Sequence, residues 1–122
     1  MVLVLSDAHA EDAGPLVDAI AALLDRGLVQ HAEVVIAFLM DVLLTQIAAG
    51  DITPAAADRF FTLLDARLAR PGGETPLSEA AQELIFEGEH LHHLGDEYGP
   101  SVGYIRQLTE AILRRAEPLS SP

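Results

Sequence analysis

Glu33 to Ala49 reads EVVIAFLMDVLLTQIAA, a run without glycine or proline that is apolar on almost every side. An apolar run alone does not separate strand from helix, and Val34, Val35 and Ile36 suit either. Length decides. Strands usually span about 5–6 residues, whereas this run makes a helix roughly 25 Å long at about 1.5 Å per residue. From Phe38 to Ile47 the chain also supplies Leu, Met, Gln and Ala, which favour helix. A helix apolar all round belongs in a core or an interface, and the other segments read as its one-sided partners.

A membrane span is the rival use of such a run. Spanning takes about 20 mainly apolar residues, and a carboxylate at mid-depth costs roughly 2.5–3.5 kcal/mol. Asp41 occupies the centre, and Glu33 and Asp51 bracket the segment. No membrane insertion is therefore expected. Asp41 then requires a cationic or hydrogen-bonding partner, or a stripe of the helix that reaches the surface.

Helical spacing recurs on both sides of this segment. Leu16, Val17, Ile20, Leu23, Leu24 and Leu28 form one apolar face, with acidic residues and Pro15 at its start and Gly27 as its stop. Gly50 closes the central helix, and Thr53-Pro54 reads as an N-cap followed by an N1 proline. Ala57, Phe60, Phe61, Leu64 and Leu68 make a third face, and Arg70 to Pro76 is the longest interruption. Ser78 caps a fourth helix whose inner face is Leu77, Ala81, Leu84, Ile85, Gly88 and Leu91. Glycine inside a helix costs roughly 1 kcal/mol relative to alanine, so Gly88 on that face implies a close crossing with a neighbour. Tyr104, Ile105, Leu108, Ala111 and Ile112 form the last stripe, after Ser101 as the expected cap and before Arg114 and Arg115.

The expected fold is all-α, a compact bundle of about five helices around the central apolar helix at 32–49. The boundaries read 14–28, 32–49, 54–70, 78–94 and 101–116. Residues 1–10 are expected as an extended N-terminal arm, 11–117 as a single helical domain and 118–122 as a tail. Met1 to Leu5 is too short for a signal-peptide core and lacks a basic leader, so it is expected to pack on this chain or on a second copy. There is no cysteine, hence no disulfide or thiolate chemistry, which fits the cytoplasm.

Charge constrains the partners. Seven arginines and no lysine face 19 acidic residues, a formal charge of −12. That balance repels phosphate backbones, so nucleic-acid binding is not expected, and it attracts basic protein surfaces. Four short amphipathic helices leave an all-round apolar helix partly uncovered, so a homodimer burying part of Val34–Leu44 or of Met1–Leu5 is also expected.

One stretch invites chemistry. Residues 87–97 hold three of the five histidines and four carboxylates, and contain Glu-x-x-His twice, at Glu87/His90 and Glu89/His92. Such spacing brings two ligands to one metal in carboxylate-bridged helical bundles. On a continuous helix, however, Glu83, Glu87 and His90 share one outer stripe, Glu89 and His93 the next, and His92 turns to the core edge. The ordinary role is a solvated helix end, where histidine suits the C-terminal dipole. No nucleophile elbow or phosphate loop is present.

Two functions from different classes follow. The first is a non-enzymatic protein–protein interaction module, of adaptor, chaperone-like or immunity type, with a basic protein partner. The second is a metal-binding bundle or metalloenzyme holding a divalent ion such as zinc or iron at Glu89, His90 and His93. Finally, Leu24–Val29 followed by Ala32–Ile36 resembles the start of the small gas-vesicle shell proteins over about a fifth of the chain. The likeness ends beyond Leu44, and the tryptophan and second strand of that family are missing, so it implies no site residue here.

Overall fold

Side-chain caps set where two of the helices begin. In the computed structural model, which describes residues 14–69 and 75–115, Thr53 accepts the Ala56 N–H at 3.2 Å and Ser78 accepts the Ala81 N–H at 3.3 Å. Each satisfies a backbone donor that the first helical turn leaves unpaired. The elements are α1 (Gly14–Asp25), α2 (Val29–Ala49), α3 (Pro54–Leu68), α4 (Glu79–Gly88), a 3-10 turn (Leu91–His93) and α5 (Val102–Arg115). Every regular element among the described residues is helical, and α2 packs against all four other α-helices. The fold is an all-α bundle. The N-terminal arm, most of the 70–76 loop and the C-terminal tail lie outside the described residues.

α2 ends on Gly50, whose φ of 80° is the left-handed conformation that glycine adopts without a side-chain clash. The Gly50 N–H reaches the Ile47 carbonyl at 3.1 Å and the Asp51 N–H reaches Gln46 at 2.8 Å, closing the last turn. The helix opens three residues before the expected start, so the exposed His31 lies inside its first turn rather than in a linker.

Its burial is one-sided. Ala32, Ile36, Ala37, Met40 and Leu43 are fully enclosed, but Phe38, Asp41 and Thr45 form an outer stripe flanked by the half-buried Val34, Val35 and Val42. The other four helices cover it incompletely, as their shortness implied, and Phe38 remains 57% exposed. Asp41 takes both roles expected of it: it sits on that surface stripe, and Arg106 of α5 approaches it at 3.8 Å. Both side chains are more than half exposed, so the pair contributes at most about 1 kcal/mol. α2 has the length and composition to cross a membrane, and half of its apolar window is buried inside the bundle.

Two contacts lock α4 in place. Glu33, inside α2, is 4% exposed and accepts the Ser78 N–H at 2.8 Å and the Ser78 hydroxyl at 3.0 Å. A buried carboxylate is tolerable only with such donors, and the N-terminus of α4 adds the favourable end of its dipole. At the other end, Gly88 lies against Phe61 of α3. A β-carbon there would stand 2.7 Å from Phe61 Cδ1 and closer still to two other ring carbons. This is the close crossing that a glycine on the inner face implied.

Two stability predictions follow from these contacts. Glycine to alanine near a helix end ordinarily stabilises, whereas Gly88→Ala is expected to destabilise by about 1–3 kcal/mol, because the methyl group enters the Phe61 ring. Phe61→Leu in that background should return part of the loss in urea denaturation. Glu33→Ala should cost about 1–3 kcal/mol by stripping the Ser78 N–H and hydroxyl of their acceptor. An unchanged midpoint in either single variant would remove the corresponding contact from this account.

Candidate functional site

Sequence spacing carried the fourth helix through His93 to Leu94, but α4 stops at Gly88. The reason is packing. The Phe61 ring holds Gly88 in place, and the fully buried Leu91 draws the next residues into the core. The hydrogen bonds shorten from four-residue to three-residue steps: His90 N–H to Glu87 at 3.1 Å, His93 to His90 at 2.9 Å and Leu94 to Leu91 at 2.9 Å. Residues 89–97 are thus a tight, winding turn, and the stripes of a continuous helix do not apply to them.

Half of this turn faces α3. The His92 N–H donates to Asp58 Oδ2 at 3.0 Å, and the His92 ring Nδ1 meets the same oxygen. Glu89 stands beside Asp65, one acid per two turns along the same face of α3 as Asp58. Burial, then the Asp65 carboxyl as a like charge and hydrogen-bond partner, pushes Glu89 above the ordinary carboxylate range, and His90 acts in the opposite direction. A neighbouring like charge disfavours the ionised form of Glu89.

The other half faces α5. His90 Nδ1 lies 2.8 Å from the Phe86 carbonyl, which accepts a ring N–H, and its ring packs on Phe86 with centroids 4.5 Å apart. His93 Nδ1 lies 3.0 Å from Asp96 Oδ2. Together with Tyr98 and Tyr104, these rings border a hollow of about 360 Å³, and Glu87 lines it as well. Burial and the neighbouring Glu83 raise Glu87 above the ordinary range, opposed by His90. The Tyr104 hydroxyl donates to Glu83 Oε1 at 2.9 Å. Tyr104 was expected in the buried stripe of the last helix, yet it is 38% exposed, and Thr109 is buried instead. α5 begins beside the turn rather than beneath it, so its first turn forms part of the hollow's wall.

Of the three residues singled out as metal ligands, His90 and His93 line the hollow with Glu87, whereas Glu89 does not line it and has both Asp65 and His90 as charged neighbours. No three His, Asp or Glu side chains among the described residues gather into a metal-holding group. The arrangement offers two features: a contact between the Glu89 and Asp65 carboxyl groups, and an aromatic-walled hollow between α4 and α5 that Glu87 lines. Sequence reading missed Asp58, Asp65, Phe86, Tyr98 and Tyr104. The seven-residue spacing of the two aspartates on α3 was the available signal for that pair. Comparison with known families, characterised proteins and solved structures gives no match.

The carboxyl pair makes a pH prediction. Below the unfolded value of about 4.3, Glu89 is protonated in both states and adds no pH dependence. As pH rises towards its elevated folded value, the unfolded chain loses the proton first, so stability falls and stays lower at neutral pH. Glu89→Gln removes that penalty. It is expected to melt higher than the parent at pH 7, by about 0.5 kcal/mol for a solvent-screened pair, and level with it below pH 4. Equal melting at pH 7 would rule out the like-charge contact with Asp65.

Proposed function

We propose that this chain is a small, acidic, non-enzymatic interaction module of the cytoplasm, an adaptor, chaperone-like or immunity-type protein that docks a basic protein partner. One observation carries the reading: both tyrosines and Phe86 stand exposed at the α4–α5 end, among carboxylates. Exposed rings set in a charged rim are the composition of a binding patch rather than of solvent-facing surface. Charge supports it. If all seven arginines were paired with acids, 12 of the 19 acidic residues would still lack an arginine. The metal-binding reading at Glu89, His90 and His93, with zinc or iron, draws no comparable support, because no three His, Asp or Glu side chains among the described residues gather into one group.

Self-association belongs to the same proposal. The outer stripe of α2, with Phe38 at its middle and Val34, Val35 and Val42 beside it, is an apolar surface suited to a second copy.

Two measurements test the proposal. Capture of a basic protein from the native host is expected to weaken steeply between low and high salt, and salt-insensitive capture would count against the electrostatic part. Sedimentation of the full chain at high micromolar concentration is expected to show a dimer. Phe38→Asp should shift it to monomer without loss of helical signal. A parent that sediments as a monomer would exclude the dimer.

A further inference from the structure

The hollow between the end of α4 and the start of α5 gathers three of the chain's six aromatic residues. Of the others, Phe60 and Phe61 are buried edge-to-face in the core, and Phe38 lies on the outer stripe of α2. Tyr98 is 94% exposed and Phe86 56% exposed, so neither ring is placed by core packing. An adjoining hollow of about 280 Å³ shares Tyr98, Gly99 and His93 and adds Asp96 and Glu97. The backbone is fixed where the two meet: a β-carbon on Gly99 would collide with the His93 carbonyl, and the Gly99 N–H bonds Asp96 at 3.1 Å. Tyr98 is thereby held on a short, tied turn.

We propose that this hollow receives the guanidinium of an arginine side chain presented by the basic partner, with the rings of Phe86, Tyr98 and Tyr104 around it and Glu87 as its counter-ion. The proposal rests on the basic-partner reading and names where that partner inserts.

Size, charge and ring content favour this occupant. About 360 Å³ is near the lower end of the roughly 300–1,000 Å³ typical of small-molecule sites, so it admits a whole arginine side chain with water beside it. Aromatic rings attract cations through their quadrupole, and the Glu87 carboxylate in the lining favours a positive ligand. Arginine suits this better than lysine. Its guanidinium is planar, more weakly hydrated, able to stack on a ring while its edge hydrogen-bonds a carboxylate. The Glu83–Glu87 repulsion is a local cost that a cation relieves. The Tyr104 hydroxyl is already committed to Glu83, which leaves Glu87 as the carboxylate lining the hollow.

The test uses two soluble decapeptides of equal charge, one alternating arginine and serine, the other lysine and serine. Each is titrated into the full-length protein at low salt by calorimetry. Four variants are compared: Phe86→Ala, Tyr98→Ala, Glu87→Gln and the remote Asp18→Asn on α1. Melting curves confirm that each is folded, which is expected because the first three side chains contribute little to the core. The parent should bind the arginine peptide more tightly than the lysine peptide. Each hollow variant should lose roughly three- to tenfold on the arginine peptide and erase the preference between the two. Asp18→Asn should weaken both peptides slightly and equally. If hollow variants and Asp18→Asn weaken both peptides alike, the hollow is not the site, while the basic-partner reading stands. If neither peptide binds the parent at low salt, the basic-partner reading falls and the hollow proposal with it.

Discussion

Phe61 occupies the space that a side chain on residue 88 would fill, and much of the functional end of the molecule is arranged by that contact. It brings α3 and α4 together at a distance only glycine permits. Just beyond it, Leu91 is drawn into the core and the chain turns in three-residue steps instead of continuing as a helix. A continuous helix would have displayed its histidines and glutamates on adjacent outer stripes. The winding turn instead sends Glu89 and His92 towards α3 and His90 and His93 towards α5. One packing contact in the core therefore determines which charged groups meet at the surface.

Glu33 supplies the complementary constraint at the opposite end of α4. Its carboxylate takes both the N–H and the hydroxyl of Ser78 while that hydroxyl also caps the helix through Ala81. The capping serine is thus held by a side chain from the central helix, so the start of α4 is positioned by α2 and its end by α3. A helix of ten residues has little stability of its own. Fixing both ends is what allows α4 to present Phe86 and Glu87 in a defined place.

The parts of this fold that were legible in the sequence are those governed by local rules. Thr53-Pro54, Ser78 and Gly50 mark helix ends through interactions within a few residues, and the inner face of α4 follows from spacing alone. Gly88 was legible as a crossing, since an inner-face glycine needs a reason, although its partner Phe61 was not. What escaped the sequence is what depends on the direction of approach between helices. Glu33 reads as an acid at the edge of an apolar run, and nothing nearby shows that a serine 45 residues later will bury it. Tyr104 has the spacing of a core residue, but its ring lines the hollow at the start of α5 and is 38% exposed. The break after Gly88 has the same origin, because helical periodicity continues through a segment that tertiary packing interrupts.

The same distinction bears on how the acidic residues are used. Those with internal roles, Glu33 at the α4 cap and Asp58 at the His92 turn, accept hydrogen bonds from backbone N–H groups, so their charge is spent on holding the fold. Glu83 and Glu87 are different. Tyr104 binds one of them, His90 offsets the other, and their mutual repulsion remains in the folded chain. A surface selected only for solubility spreads like charges apart, since adjacent ones oppose folding. Retaining them one helical turn apart, beside exposed aromatic rings and a hollow, makes sense when a cation from outside the chain completes the arrangement.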